Sequence, residues 1–132
     1  MSGLTDLHQI LGSLRPLVRP GRFVVVTAAS EPDAPSAAQI VEPEGTTYVL
    51  LQSDADAAGL AYEAVFGWIT LQVHTSLTAV GLTAAVATAL ARVGLSCNVL
   101  AGFYHDHLLV PIDDVDDAID VLGGLSAEEA SA

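Results

Sequence analysis

In the second half of the chain the apolar positions change from a period of two to a period of about 3.6 residues. Alternation over residues 68–74 predicts a strand with its odd-numbered residues on one face and its even-numbered residues on the other. A stripe at helical spacing then predicts a helix from about Leu82 to Gly94. The stripe consists of Leu82, Val86, Ala89, Leu90 and Val93.

The rest of this half predicts two strands and a last helix. The strands span residues 96–103 and 107–110, around a turn at 104–106. Asp113 is the predicted N-cap of the helix, and Gly123-Gly124 is its predicted end. The helix has several aspartates opposite its apolar residues, which we interpret as a solvated face. They are Asp114, Asp116, Asp117 and Asp120.

The first half begins with a helix followed by a strand. Leucine and isoleucine recur at helical spacing up to Leu14, and Pro16 and Pro20 are predicted to stop that helix. The β-branched run at 23–28 predicts a buried strand. The prolines and polar residues of 30–36 predict a loop.

Two more strands and a short helix complete this half. The strands are predicted at 39–42 and 46–52, and Ser53 is predicted to cap the helix. We therefore divide the chain into two lobes, residues 1–62 and residues 63–132. The second lobe lacks the fourth strand of a βαββαβ unit, while the first has strands to spare. We expect an α/β (α+β) structure whose lobes share or abut antiparallel sheets, with helices on one face.

Charge narrows the classes of partner. The 132 residues include 16 Asp and Glu but only 4 Lys and Arg, which gives a net charge of −12. A surface this acidic repels phosphate backbones and anionic lipid. We therefore expect no nucleic-acid partner and no membrane partner. The cationic residues are Arg15, Arg19, Arg22 and Arg92.

The cysteine content and the N-terminus indicate a reducing compartment. Cys97 is the single cysteine, so an intrachain disulfide is excluded, and its apolar surroundings favour a core role. We expect no signal peptide, because no basic segment followed by an uninterrupted apolar run opens the chain. No stretch approaches the roughly 20 apolar residues of a membrane-spanning helix. A cytoplasmic location follows as the expectation.

The segment VGLTAAVATALARVGLSCNVLAG, residues 80–102, resembles the glycine turn, helix and following strand of ACT domains in aspartate kinase regulatory domains. The resemblance covers residues 68 to about 122. Through VHTSLTAVGLTA and NVLAGFYHDH, the whole chain is also similar to small stand-alone bacterial proteins with tandem ACT-like domains. The resemblance implies a ferredoxin-like βαββαβ fold.

ACT domains bind an amino acid at the turn between first strand and first helix, usually across a subunit interface. The resemblance therefore implies a ligand site at Gly81, Leu82 and Thr83. A glycine lets the backbone turn with no side chain in the way, and unpaired amides at a helix start accept a carboxylate. Ser76 lies in the same loop.

Two further positions resemble residues of the family's site. His74 resembles a histidine in the sensing domain of phosphoglycerate dehydrogenase, although the loop to the glycine is longer here. Ser96 occupies the position of the family's asparagine, and Asn98 follows two residues later on the same strand face. Asn98 is therefore the candidate to replace it.

Histidines are predicted to gather at one edge of the sheet. The βαββ order brings His74, the hairpin with His105 and His107, and the helix start near Gly81 to the same edge. Such a cluster is able to ligate a transition metal, to bind a carboxylate, or to satisfy hairpin backbone groups. Only Asp106 supplements the histidines as a metal ligand. The order Ser76, His74 and Asp106 lacks the nucleophile elbow of a hydrolase.

These observations predict a non-catalytic sensor of a small amino acid or related carboxylate, with no cofactor. Its predicted site consists of His74, Ser76, Gly81, Leu82, Thr83, Asn98, His105 and His107. The alternatives are an interaction module that pairs through its open sheet face, and a metal-binding protein that uses its histidines. A homodimer or higher oligomer is also expected. The helices of the second lobe do not cover the sheet face that bears Trp68, Thr70 and Leu100, and an exposed apolar patch there favours association with a partner.

Overall fold

The computed structural model describes residues 6–73 and 80–131. In chain order the elements are α1 (Leu7–Ser13), β1 (Arg15–Ala28), β2 (Ala38–Glu42), β3 (Gly45–Leu51), α2 (Gln52–Ala57), β4 (Phe66–Gln72), α3 (Leu82–Arg92), β5 (Asn98–Ala101), β6 (Asp106–Pro111) and α4 (Val115–Ser131). A 3₁₀ turn at Ile112–Asp114 leads directly into α4.

The strands form a single six-stranded sheet in the order β2-β3-β1-β4-β6-β5. Strand β6 lies between β4 and β5 and runs antiparallel to both, so β4 and β5 are parallel to each other. The predicted fold class is confirmed. The two halves of the chain contribute to one continuous sheet.

Strand β1 joins the two halves of that sheet. Its first part, from Arg15 to Arg19, pairs with β4, and its second part, from Phe23 to Ala28, pairs with β3. The register shifts between Arg19 and Phe23, where Gly21 has a φ of 118°. The first part of β1 thereby supplies the fourth strand that the second half of the sequence lacks.

The start of β1 corrects the sequence prediction, which placed the strand at 23–28 and treated the prolines before it only as a helix stop. Helix α1 does end before Pro16, but the strand already begins at Arg15. The pairing explains why prolines are tolerated here. Strand β3 pairs with β1 only from Phe23 onwards, so the first part of β1 has a neighbouring strand on one side only. A proline, which has no backbone N–H, is tolerated where that N–H would face away from the neighbouring strand.

The four helices of the described residues cover the same face of the sheet. Helices α1, α3 and α4 form one core with the odd-numbered residues of β4 and with Leu108 and Val110 of β6. Helix α2 packs through Ala55 against Val24 and Val26 of β1. Phe23 pairs with Phe66, so these two side chains lie on the same face of the sheet. Val24 and Val26 therefore lie on the opposite face, together with the odd-numbered residues of β4. The predicted inward face of β4 is confirmed: Ile69, Leu71 and Val73 are buried.

The opposite face of the sheet carries none of these helices, and we call it the open face. At its centre a buried cluster is formed by Phe23, Val49, Trp68 and Leu109. Around that cluster, apolar side chains reach the surface. Leu17, Val25, Ile40 and Leu51 are 54%, 37%, 45% and 37% exposed.

Three predicted helix boundaries are wrong. Helix α4 continues through Gly123-Gly124 to Ser131, because Leu125 beyond the glycines still packs on the core; this burial outweighs a cost of about 1 kcal/mol per glycine. Ser53 is not the N-cap of α2, which begins at Gln52 without a capping side chain. Asp113 lies within the 3₁₀ turn, so it does not cap α4.

Candidate functional site

Helix α3 begins at a glycine with a positive φ. Gly81 is its N-cap, with a φ of 107° and a ψ of −19°, and the Ala85 N–H donates to its carbonyl oxygen at 2.9 Å. No side chain among the described residues caps this end of the helix. The Leu82 side chain is buried and the Thr83 side chain is exposed. The first amides of α3 therefore have no side-chain acceptor in the described part of the chain.

Gly81 also lies against α1. A Cβ built on Gly81 would be 2.9 Å from Cδ2 of Leu7 and 3.3 Å from its Cδ1. The glycine therefore permits both the turn and the close approach of α1. A ligand at this helix start would have Leu7 as an apolar neighbour. The sequence pattern did not predict this contact, because α1 and α3 are far apart along the chain.

Two predicted site residues, His74 and Ser76, lie outside the described residues, and their place in the site stays a prediction. They belong to the segment 74–79 between β4 and α3. On either side of that segment, Val73 and Leu82 belong to the same buried cluster. The segment therefore connects two elements that share one core.

His107 lies on the open face, where two side chains contact its Nδ1. The Trp68 Nε1–H donates to Nδ1 at 3.1 Å, and the Thr70 Oγ1 is 2.9 Å from the same nitrogen. Because an indole N–H only donates, this bond requires an unprotonated Nδ1 and places the proton of the neutral ring on Nε2. Burial lowers the pKa of His107, and the positive charges of His105 and Arg19 lower it further, against the opposing carboxylate of Asp106. The site favours a neutral imidazole.

His105 belongs to the turn between β5 and β6. Its carbonyl oxygen accepts a hydrogen bond from the Gly102 N–H at 2.9 Å, and its ring centroid is 6.4 Å from that of His107. A Cβ on Gly102 would be 2.7 Å from this carbonyl oxygen, so the tight turn depends on glycine. The turn therefore starts earlier than predicted, and β5 is shorter than the predicted strand.

Asn98 lies away from the turn that carries His105. It is the first residue of β5 and pairs with Leu109, so the length of β5 separates it from the turn with His105. Its side chain lines a groove of about 680 Å³ on the open face, together with Phe66 and Leu100. No motif in the sequence indicated this groove, since its walls come from six separate strands and the loop before β4.

The predicted site residues thus divide between the two faces of the sheet. His107 contacts Trp68 and Thr70 on the open face. Leu82 belongs to the core on the helix-covered face. Gly81, Leu82 and Thr83 lie at the start of α3, and His105 and His107 lie at the hairpin between β5 and β6. That the two sets form one site stays a prediction.

Metal binding and membrane insertion gain no support from the described residues. Within 6–73 and 80–131, no three His, Cys, Asp or Glu side chains are placed to hold a metal ion. Burial raises the pKa of the Cys97 thiol, which disfavours the reactive thiolate. None of the helices in the same part of the chain is long and apolar enough to cross a membrane.

Comparison with known families decides the identity of the fold. Models of the ACT domain match residues 2–67 and residues 63–123. The chain belongs to the ACT domain family. ACT domains are typically ligand-binding regulatory units, and neither match indicates a catalytic family. A comparison of the sequence with curated proteins finds no match.

Solved structures resemble most of the length of this chain. A Vibrio cholerae protein of unknown function, described as a possible transport protein, is 41% identical with a TM-score of 0.84, covering 95% of this chain and 99% of that one. An Agrobacterium tumefaciens protein is 16% identical with a TM-score of 0.73, covering 86% and 89%. The ligand-free regulatory subunit of aspartate kinase from Thermus thermophilus is 8% identical with a TM-score of 0.59, covering 83% and 95%. The last two comparisons concern the fold alone.

Proposed function

We propose that this ACT protein is a non-catalytic, cytoplasmic sensor that binds a small amino acid or a related carboxylate at the start of α3. One observation carries the proposal. Gly81 opens the helix in a left-handed conformation, and no described side chain caps the amides that follow it. Those amides and the positive end of the helix dipole favour a carboxylate.

Charge supports this choice of ligand group. The chain has a net charge of −12 and no lysine, and the arginine of α3, Arg92, lies in the last turn of the helix. Binding of an anion at the start of α3 therefore relies on backbone amides. The Thr83 side chain is exposed beside them, and its hydroxyl is available as a further donor.

His74 and Ser76, in the segment that leads into the helix, are proposed to read the rest of the ligand. The ACT match and the fold shared with aspartate kinase regulatory subunits support an amino acid as the ligand class. Asn98, His105 and His107 are less suited to the same site. They lie on the open face or at the hairpin beside it.

The proposal is tested by thermal denaturation in the presence of each of the twenty amino acids. We expect at least one to raise the melting temperature. A ligand at one hundred times its Kd stabilises the folded state by about 2.7 kcal/mol.

A matched pair of variants then locates the site. Thr83→Glu places a carboxylate in the first turn of α3, where it favours the helix through the dipole but repels a bound carboxylate. Thr88→Glu makes the same change at an exposed position about 7.5 Å further along the helix. We expect the first variant to lose most of the ligand-induced shift and the second to keep it. Equal shifts in both would contradict a site at the start of α3.

A further inference from the structure

The second part of β1 has a neighbouring strand on one side only. Residues 24–28 pair in register with β3, whereas β4 begins at Phe66, the partner of Phe23, and pairs with β1 no further in that direction. Among the described residues, no backbone hydrogen bond joins residues 24–28 to the loop before β4 either. One edge of β1 is therefore free in the middle of the sheet, where the two halves of the chain meet.

The register identifies the backbone groups on this free edge. The Ala37 N–H donates to the Val49 carbonyl oxygen at 2.7 Å, so the backbone groups of Val49 point toward β2 and away from β1. Val49 is the register partner of Val25. In an antiparallel ladder, the backbone groups of register partners point either toward each other or both away, and successive pairs alternate. The N–H and C=O groups of Val25 and Thr27 therefore point away from β3, toward the free edge.

The groove on the open face runs along this edge. Val25, Val26 and Thr27 all line it, although Val26 packs in the core on the opposite face of the strand. A groove in contact with both faces of one strand reaches the edge between them. The unpaired backbone groups of Val25 and Thr27 thus border a space of about 680 Å³, which is in the size range of ligand sites in proteins.

The walls of the groove determine which occupant it suits. They include the apolar side chains of Ile40, Phe66 and Leu109. Glu63 is the one charged side chain among the described residues that line the groove, and it is exposed. The net charge of −12 adds a field that favours a positive partner. Unpaired N–H and C=O groups along a strand edge are complementary to an extended peptide backbone.

We propose that the groove binds an extended peptide segment of another protein, one with apolar side chains and at least one basic residue. The peptide backbone pairs with Val25 and Thr27 and continues the line of β4 beyond its first residue, Phe66. Its apolar side chains pack on the walls of the groove, and its basic residue pairs with Glu63. The start of α3 lies on the helix-covered face, so this site is separate from the proposed amino-acid site.

The proposal is tested by titrating the isotope-labelled full chain with a capped five-residue peptide in two-dimensional NMR. The peptide is valine-threonine-valine flanked by two arginines, so an arginine is available to Glu63 in either strand direction. Binding is expected to shift the amide signals of Val25 and Thr27 and to slow their hydrogen exchange, because strand pairing protects amides that were free. The same peptide with its three central amides N-methylated is unable to pair with the edge and is expected not to bind.

Two proline variants locate the contact on the backbone. Thr27→Pro removes an N–H of the free edge without removing a bond to β3, and is expected to weaken peptide binding about five- to tenfold. Val41→Pro is the matched control. By the same alternation its N–H points outward from β2, the edge strand of the sheet, and Val41 is 84% exposed outside the groove. It is expected to bind the peptide like the wild type.

A charge variant tests the basic residue without changing the strand. Glu63→Gln is expected to weaken binding about two- to fivefold, whereas Glu128→Gln, at an exposed position on α4, should leave it unchanged. Circular dichroism checks that each variant is folded. Unshifted amides at Val25 and Thr27, equal binding of the N-methylated peptide, or equal affinities of Thr27→Pro and Val41→Pro would each overturn the proposal.

Discussion

The two faces of the sheet contain similar kinds of side chain but are covered very differently. On the helix-covered face, Ile69, Leu71 and Leu108 are at most 1% exposed beneath three helices. On the open face, Leu17 and Ile40 are 54% and 45% exposed. Strand β4 is apolar on both sides, since Phe66 and Trp68 alternate with Ile69 and Leu71. Alternation therefore identifies two faces without telling which one the helices cover.

The largest expected difference between the faces is in stability. Leu90 of α3 is 0% exposed in the covered core, and Leu90→Ala is expected to lower the free energy of unfolding by about 2–5 kcal/mol through lost burial and a cavity. Leu17→Ala on the open face is expected to change it by less than about 0.5 kcal/mol. Urea unfolding at low protein concentration measures both. A loss at Leu17 that equals the loss at Leu90 would show that the open face is already covered within one chain.

A smaller effect is expected where the covered face approaches the proposed ligand site. Gly81→Ala is expected to cost about 1–3 kcal/mol, because a side chain is strained at a φ of 107° and its Cβ would meet Leu7. Gly94→Ala, at the other end of α3, is the matched control. Its φ is also positive, at 76°, but nothing lies within 4 Å of the added Cβ.

Combining each glycine variant with Leu7→Ala isolates the contact with α1. The cost of Gly81→Ala is expected to fall in the Leu7→Ala background, whereas the cost of Gly94→Ala should stay the same. Thermal melts of the single and double variants provide the comparison. An unchanged cost at Gly81 would mean that backbone strain alone requires the glycine.

The division of β4 into two faces could be predicted from the sequence, because local periodicity separates its odd-numbered from its even-numbered residues. The stripe of α3 and the odd-numbered residues of β4 meet as expected, and Gly94 ends the helix with a positive φ. The start of β1 could not be predicted in this way. Whether Pro16 is tolerated depends on which strands pair beside it, and that pairing involves residues more than fifty positions away.

The candidate site was predicted only where it depends on neighbouring residues. Gly81, Leu82 and Thr83 lie together at the start of α3, as the strand–turn–helix pattern indicates. The approach of His107 to Trp68 depends instead on the register between β4 and β6. A shift of one residue in that register would place His107 on the other face, and the sequence does not determine it.

The smallest expected effect is a dependence of the free energy of unfolding on pH, which comes from His107 on the open face. The described residues of the covered core include no histidine. The pKa of His107 is lowered in the folded chain, chiefly by burial. In the unfolded chain it returns to about 6.5. Between these two values the unfolded state binds more protons, so the free energy of unfolding falls as the pH is lowered through about 6.5.

Glutamine in place of His107 keeps an acceptor for the Trp68 N–H but does not titrate. The melting temperature of the wild type relative to His107→Gln should therefore decrease between about pH 7.5 and 5.5, with an uptake of less than one proton on unfolding. Parallel profiles for the two proteins would mean that the Trp68 bond does not hold the imidazole in its neutral form.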